Sequence, residues 1–302
     1  MNFLSLYKMN VLCTNQKKAK LYPSDTFFSA ERIEIKYQTM NLNDKKLKLH
    51  FQRFEFKYQI PVNLIDGLLP ELLKYMEWDP YVKEKTGLFY YVSSLYFDSI
   101  GYACYYQNLS GERTRKKLRI RFYDEKLSAK SPVFLEIKKK YDSVVIKDRL
   151  TTTMENCNSI LEGNLKKIDS ELSLTDRETL NDFLWLKYHN SMVPQNMVIY
   201  KRKPLISKVD PSFRVTFDYE LATYCSARLN DRKYGYEVMP QLAVMEVKFN
   251  NMLPFWFHQI LQKYNLQRMA FSKYCRCLEV CKPELAENIF QIYQPQSLNI
   301  SY

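Results

Sequence analysis

Apolar and polar residues alternate one by one over much of the chain, the period of a strand with one greasy and one polar face. The alternation predicts strands over 52–60, 88–97, 113–123, 132–141, 144–152, 197–205, 212–220 and 241–249. Between them, apolar residues three and four apart predict helices over Val62–Met76, Ser99–Asn108, Thr152–Leu161, Thr175–His189, Pro254–Tyr264 and Ser272–Cys281. Thr175-x-x-Glu178 reads as a capping box and Pro254 suits a first helical turn. Asp142-Ser143 is a short turn, so the strands on either side of it pair antiparallel. There is no regular strand–helix alternation, and the fold class is α+β.

Sorting the strands by side gives the same result six times. Glu55 and Lys57 oppose Phe54, Phe56 and Tyr58; Lys117, Arg119 and Arg121 oppose Leu118, Ile120 and Phe122; Glu136 and Lys138 oppose Leu135 and Ile137. Lys147 and Arg149 oppose Ile146 and Leu150, Arg214, Thr216 and Asp218 oppose Val215, Phe217 and Tyr219, and Glu246 and Lys248 oppose Met245 and Val247. An ordinary sheet with its charges toward water gives this pattern. So does a sheet curled with helices outside and charges inside, and the recurrence of Arg and Lys with isolated carboxylates favours that arrangement. About eight strands close into a barrel wide enough for a small ligand. With Arg202 and Lys273 added, eleven cations face four carboxylates on the inner surface, a lining suited to phosphate oxygens. The carboxylates suit a hard divalent cation.

Composition narrows the choice. The chain has 302 residues, 46% of them hydrophobic, and a net charge of +12, which implies a substantial core and an anionic partner. Its 6 glycines form no nucleotide-binding or phosphate loop, and its 3 histidines fall in no zinc-hydrolase pattern. The 7 cysteines, Cys275, Cys277 and Cys281 among them, read as structural thiols of a reducing compartment. Tyr90, Tyr91, Tyr96, Phe97, Tyr102, Tyr105 and Tyr106 read as packing between helices and sheet. No apolar run is long enough to span a bilayer, so the expectation is a cytoplasmic protein with no transmembrane segment. ERIEIKYQ at 31–38 returns as QRFEFKYQ at 52–59. The copies form either a hairpin or a strand and an unpaired extension, and the boundaries expected are an extension 1–50, a folded domain 51–282 and a tail 283–302.

Seven motifs in order then carry a resemblance: Arg53-Phe-Glu55-Phe-Lys57-Tyr58, Ser94-Leu-Tyr96-Phe97-Asp98, Lys117-Leu-Arg119-Ile-Arg121-Phe-Tyr123, Leu135-Glu136-Ile-Lys138-Lys139, Val215-Thr-Phe-Asp218, Met245-Glu246-Val-Lys248 and Ala270-Phe-Ser272-Lys273-Tyr274. Together they resemble the vacuolar transporter chaperone (VTC) domain, the polyphosphate polymerase branch of the CYTH-like triphosphate tunnel metalloenzymes. The resemblance implies an eight-stranded antiparallel barrel that transfers the γ-phosphate of ATP to polyphosphate, starting from a pyrophosphate or polyphosphate primer. Carried over, Lys57, Arg119, Arg121, Arg214 and Lys273 are the catalytic cations, and Lys117, Lys138, Lys147, Arg149, Arg202, Lys248 and Ser272 bind substrate. Glu246, and secondarily Glu136, would hold Mn²⁺ or Mg²⁺. A separate membrane protein is an expected partner, with placement at the inner membrane face, and no specific nucleic acid is. Two other functions fit the same residues: a tripolyphosphatase or nucleoside triphosphatase, and a module that binds polyphosphate without turnover.

Overall fold

The computed structural model describes residues 53–287 apart from 125, 142, 143, 166, 167, 169–171, 227 and 230–234. The extension 1–50, the hairpin between the two repeat copies, the Asp142-Ser143 turn and the tail beyond 287 lie outside them.

In chain order the elements are β1 (Arg53–Pro61), α1 (Leu64–Leu73), β2 (Met76–Trp78), α2 (Pro80–Lys83), β3 (Tyr90–Asp98), α3 (Ala103–Leu109), β4 (Thr114–Phe122), β5 (Pro132–Tyr141), β6 (Val144–Thr153), α4 (Met154–Leu161), α5 (Leu174–His189), β7 (Val193–Ser207), β8 (Arg214–Tyr224), β9 (Gly235–Glu237), β10 (Leu242–Asn250), α6 (Phe255–Lys263) and α7 (Lys273–Cys281). Eight long strands run antiparallel in the order β1-β10-β8-β7-β3-β4-β5-β6, with short β2 on β7 and β9 on β8. β2 and β9 have three residues each, too few to show a period.

The ladder is open: β1 and β6 end it, and no hydrogen-bonded register joins them among the described residues. The two edges nevertheless approach one another. A side-chain contact crosses the gap, Lys138 Nζ on β5 lying 3.6 Å from Glu55 Oε2 on β1.

The alternation explains the layers. Leu118, Ile120, Phe122, Leu135, Ile137 and Leu150 pack outward with α4 and α5 through Cys157, Ile160, Leu180 and Phe183. Val215, Phe217, Met245 and Val247 pack outward under α1 and α6 through Leu68, Leu72, Phe257 and Ile260. Helices therefore cover the apolar side, and the ionic residues turn inward. Leu285, past the expected boundary at 282, is buried in the first of these clusters.

Three local expectations are corrected. Helix α5 is capped by Ser173, whose Oγ accepts from Asp176 N at 3.1 Å, and not by Thr175, because the chain turns helical two residues earlier than the Thr175 box requires. Pro254 is the cap of α6, with extended ψ 143°, rather than its first helical residue. Cys281 is no free thiol: it is disulfide-bonded to Cys225, which the fold brings to the end of α7. Cys104, Cys157, Cys275 and Cys277 are free and buried.

Candidate functional site

Register places the inward charges in rows. Lys117, Lys138 and Lys147 lie directly opposite one another across β4, β5 and β6. Like charges so placed repel; Lys147 meets Glu136 at 2.5 Å, and Lys138 has Glu55 at 3.6 Å. The next row is Arg119, Glu136 and Arg149. Glu136, with 0% of its side chain exposed, accepts from Arg119 Nε at 2.6 Å on one oxygen and meets Lys147 Nζ and Arg149 Nη2 at 2.5 Å on the other. Burial opposes its charge, but Arg119, Arg121 and Lys147 outweigh it and hold the carboxyl far below the usual range.

Across the interior, Asp218 on β8 and Glu246 on β10 share their cations. Arg202 forks onto Asp218 at 2.6 and 2.7 Å and reaches Glu246 Oε2 at 3.1 Å. Lys273 Nζ is 2.6 Å from Asp218 Oδ2 and 2.6 Å from Glu246 Oε1. Lys248 and Lys57 approach Glu246 at 3.6 and 3.9 Å. Burial is again overcome by Lys273, Lys248 and Arg202, so Glu246 is ionised. Burial also works against the charge on Lys273, and Asp218 and Glu246 more than compensate, raising its affinity for the proton.

Lys273 comes not from the sheet but from the first turn of α7. Ser272 caps that helix, its Oγ accepting from Cys275 N at 3.4 Å. Tyr274 anchors it: its hydroxyl donates to Asp98 Oδ2 at 2.6 Å. Asp98 also accepts from the backbone N–H groups of Ser99, Cys104 and Tyr105. One buried carboxylate thus fixes α3 and α7 together and aims the Lys273 stem at the interior.

The lysine row is electrostatically poised. At Lys138 the Glu55 carboxylate favours the charge, but burial and the neighbouring Lys57, Arg119 and Lys248 win and pull the ammonium down to about 8. Burial likewise takes Lys147 to about 8, with Arg149 and Arg119 adding to it against the pull of Glu136. Lys248 is lowered by burial.

Of the residues expected from sequence, Lys57, Arg119, Arg202, Lys248, Lys273, Glu246, Lys138, Lys147, Arg149 and Glu136 form the two clusters and the row between them. Arg121 is buried beside them, its Nε donating to Ser94 Oγ at 3.0 Å. Lys117 leans to the margin, toward Asn108 Oδ1 at 3.4 Å and the Tyr274 ring. Arg214 stands apart with 45% of its side chain exposed, donating to Pro211 O at 3.3 Å and 3.9 Å from Asp79. Sequence reasoning gave no role to Asp98 or Tyr274, and counted Asp218 only among the four inner carboxylates, although all three stand in the quoted motifs. Tyr96, read as packing, instead takes part in the site, its hydroxyl accepting from Arg119 Nη1 at 3.1 Å. Strand parity alone puts it on the face shared with Ser94.

A family model described as the VTC domain matches residues 52–282. The chain belongs to the VTC domain family. Among solved structures, this VTC domain is similar to a candidate adenylate cyclase from Bacillus halodurans, at 13% identity over 73% of this chain and 95% of that one, with a TM-score of 0.43. It is also similar to a candidate adenylyl cyclase from Hippeastrum with a dominant triphosphatase activity, at 14% identity over 74% and 94% of the two chains and a TM-score of 0.39. No curated protein gave a match. The fold is α+β with a large antiparallel sheet, and among the described residues no helix is long and apolar enough to cross a membrane.

Proposed function

We infer that this VTC domain is a polyphosphate polymerase that transfers the γ-phosphate of ATP to the end of a polyphosphate chain. The observation that carries the inference is the row Lys117–Lys138–Lys147 beside the shared clusters, three lysines in register whose near carboxylates are Glu136, at 2.5 Å from Lys147 and shared with two arginines, and Glu55, at 3.6 Å from Lys138. A polyanion relieves its repulsion, and a single small anion would relieve only part of it.

Phosphoryl transfer through a loose transition state asks for positioning and for charge around the equatorial oxygens. Arg119, Arg121, Arg202 and Lys273 supply fixed charge, and phosphate oxygens exchange with Glu136, Asp218 and Glu246 as their partners. The attacking group is a chain-end phosphate already ionised at neutral pH, so no histidine base or covalent nucleophile is needed.

A divalent cation, Mn²⁺ or Mg²⁺, fits Glu246 better than Glu136. Both oxygens of Glu136 are held at 2.5–2.6 Å by cations, whereas Glu246 Oε2 has its nearest cation at 3.1 Å and Lys248 at 3.6 Å. Among the described residues no cluster of three or more His, Cys, Asp or Glu forms a cage, so the remaining ligands would be phosphate oxygens and water, as such ions accept. Glu55, whose oxygens lie 3.4 Å from Lys57 and 3.6 Å from Lys138, is the second loosely held carboxylate near that position. When bound, the cation would neutralise charge on the transferred phosphoryl group and its leaving group.

³¹P NMR of the protein with ATP, Mn²⁺ and a pyrophosphate primer tests the assignment. Internal-chain phosphate signal together with ADP supports it. Orthophosphate without chain signal makes the protein a triphosphatase, and unchanged ATP with retained tripolyphosphate binding makes it a binding module.

A further inference from the structure

Thr216 is the one uncharged residue between Arg214 and Asp218 on the inward side of β8, and it is 7% exposed. It pairs in register with Glu246 on one side and with Pro204, which has no polar side-chain atom, on the other. Its Oγ1 is buried and has no hydrogen-bond partner among the described residues. Elsewhere on this face the pattern is the opposite: Ser94 accepts from Arg121, Tyr96 from Arg119, and each carboxylate meets at least one cation.

A buried hydroxyl left without a partner costs free energy. Threonine is costly here on grounds of stability, since valine has the same shape without the unmet donor, and cross-strand neighbours lie close enough to put the hydroxyl in the space served by Glu246, Lys248 and Arg202. Those groups are all charged, and the two donors among them, Lys248 and Arg202, bring a positive charge with each hydrogen bond. A neutral O–H adds a donor that brings no further repulsion to a face already crowded with cations.

Resting on the phosphate-handling reading above, we propose that Thr216 is a substrate-binding residue whose Oγ1 donates a hydrogen bond to a non-bridging oxygen of the bound oligophosphate. It spends stability in the free protein on affinity in the complex. That trade sets opposite signs on two measurements of one variant.

The experiment is titration calorimetry of inorganic tripolyphosphate in chelator-treated buffer, with thermal melting of the free proteins, for the unmodified chain, Thr216→Val and Thr216→Ser. Expected are a loss of about tenfold in affinity for Thr216→Val, since hydrogen bonds to charged groups are the strong ones, a free-protein melting temperature equal to or above that of the unmodified chain, and substantial recovery of affinity in Thr216→Ser. Equal affinity in Thr216→Val overturns the proposal while leaving the functional reading intact. A lowered melting temperature in Thr216→Val shows that the hydroxyl serves the fold and overturns it as well. Absence of tripolyphosphate binding by the unmodified protein removes the functional reading, and the role of Thr216 with it.

Discussion

Lys273, the first residue of α7, and Glu246, in the middle of β10, are joined at 2.6 Å inside the sheet, and the same ammonium lies 2.6 Å from Asp218. One ammonium is thereby shared between two buried carboxylates, with Arg202 as their second common cation. Replacing it by methionine leaves both facing Arg202 alone at close range. Removing one partner of a buried pair costs about 3–5 kcal/mol, so Lys273→Met should unfold at markedly lower denaturant and lose tripolyphosphate binding together. Unchanged stability in a urea titration would show that the carboxylates find other partners.

Glu246→Gln separates binding from turnover. The amide keeps the shape, Lys273 and Arg202 keep Asp218, and the interior gains a unit of positive charge. Tripolyphosphate should bind equally well or more tightly, while ATP turnover falls by about a hundredfold because the amide oxygen that remains lacks the negative charge that holds a divalent cation. Full activity in a ³¹P assay would remove Glu246 from the metal site.

Arg119 and Arg214 were indistinguishable as sequence positions, and the structure separates them. Arg119 is held between Glu136 and Tyr96 in the interior, whereas Arg214 sits at an exposed margin. Arg119→Ala should lower kcat/KM by at least tenfold, and Arg214→Ala by less than about fivefold, since exposed charge contacts contribute little. Equal losses in steady-state kinetics would mean that Arg214 swings inward onto substrate.

This contrast shows what the sequence could and could not convey. Strand parity is local, so the ionic and apolar faces of β1, β4, β5, β6, β8 and β10 were readable, and a period of two gave all eight long strands to within a few residues. What parity cannot fix is how far each row slides against the next. The Lys117–Lys138–Lys147 row, the sharing of Lys273 between Asp218 and Glu246, and the open edge between β1 and β6 all depend on register and on tertiary closure. Asp98 was illegible for a related reason: a lone aspartate at a strand end is an ordinary residue until Tyr274, 176 positions away, donates to it. Likewise, the pairing of Cys225 with Cys281 has no signature in their spacing.

The lysine row makes stability depend on pH with a definite sign. Lys138 and Lys147, about 35% and 37% exposed, lose their protons near 8 in the folded chain, whereas an unfolded lysine holds its proton to about 10.4. Between these values the unfolded state binds more protons, so stability rises with pH; the penalty of the charged row is fully present below 8. The melting temperature should increase from pH 7.5 to 9, and less so in Lys138→Met. A flat profile in the unmodified protein would mean that the row is already neutralised.

The Cys225–Cys281 bond ties the chain just beyond β8 to the last residue of α7, the helix whose first residue is Lys273. The bridged residues are 56 apart in sequence, and closing a loop of that length restricts the unfolded chain by about 4 kcal/mol in the entropic account. The remaining described cysteines are buried and unpaired, so a reductant has this one described bond to act on. Treatment with a phosphine reductant should lower the melting temperature by several degrees, and Cys225→Ser should reproduce the drop and abolish further response to reductant. α7 is also fixed by Tyr274 on Asp98, which reduction leaves untouched. Tripolyphosphate affinity should therefore change less than stability does. A loss of affinity larger than the loss of stability would place the control of Lys273 at the far end of α7, in the disulfide, and not at Asp98.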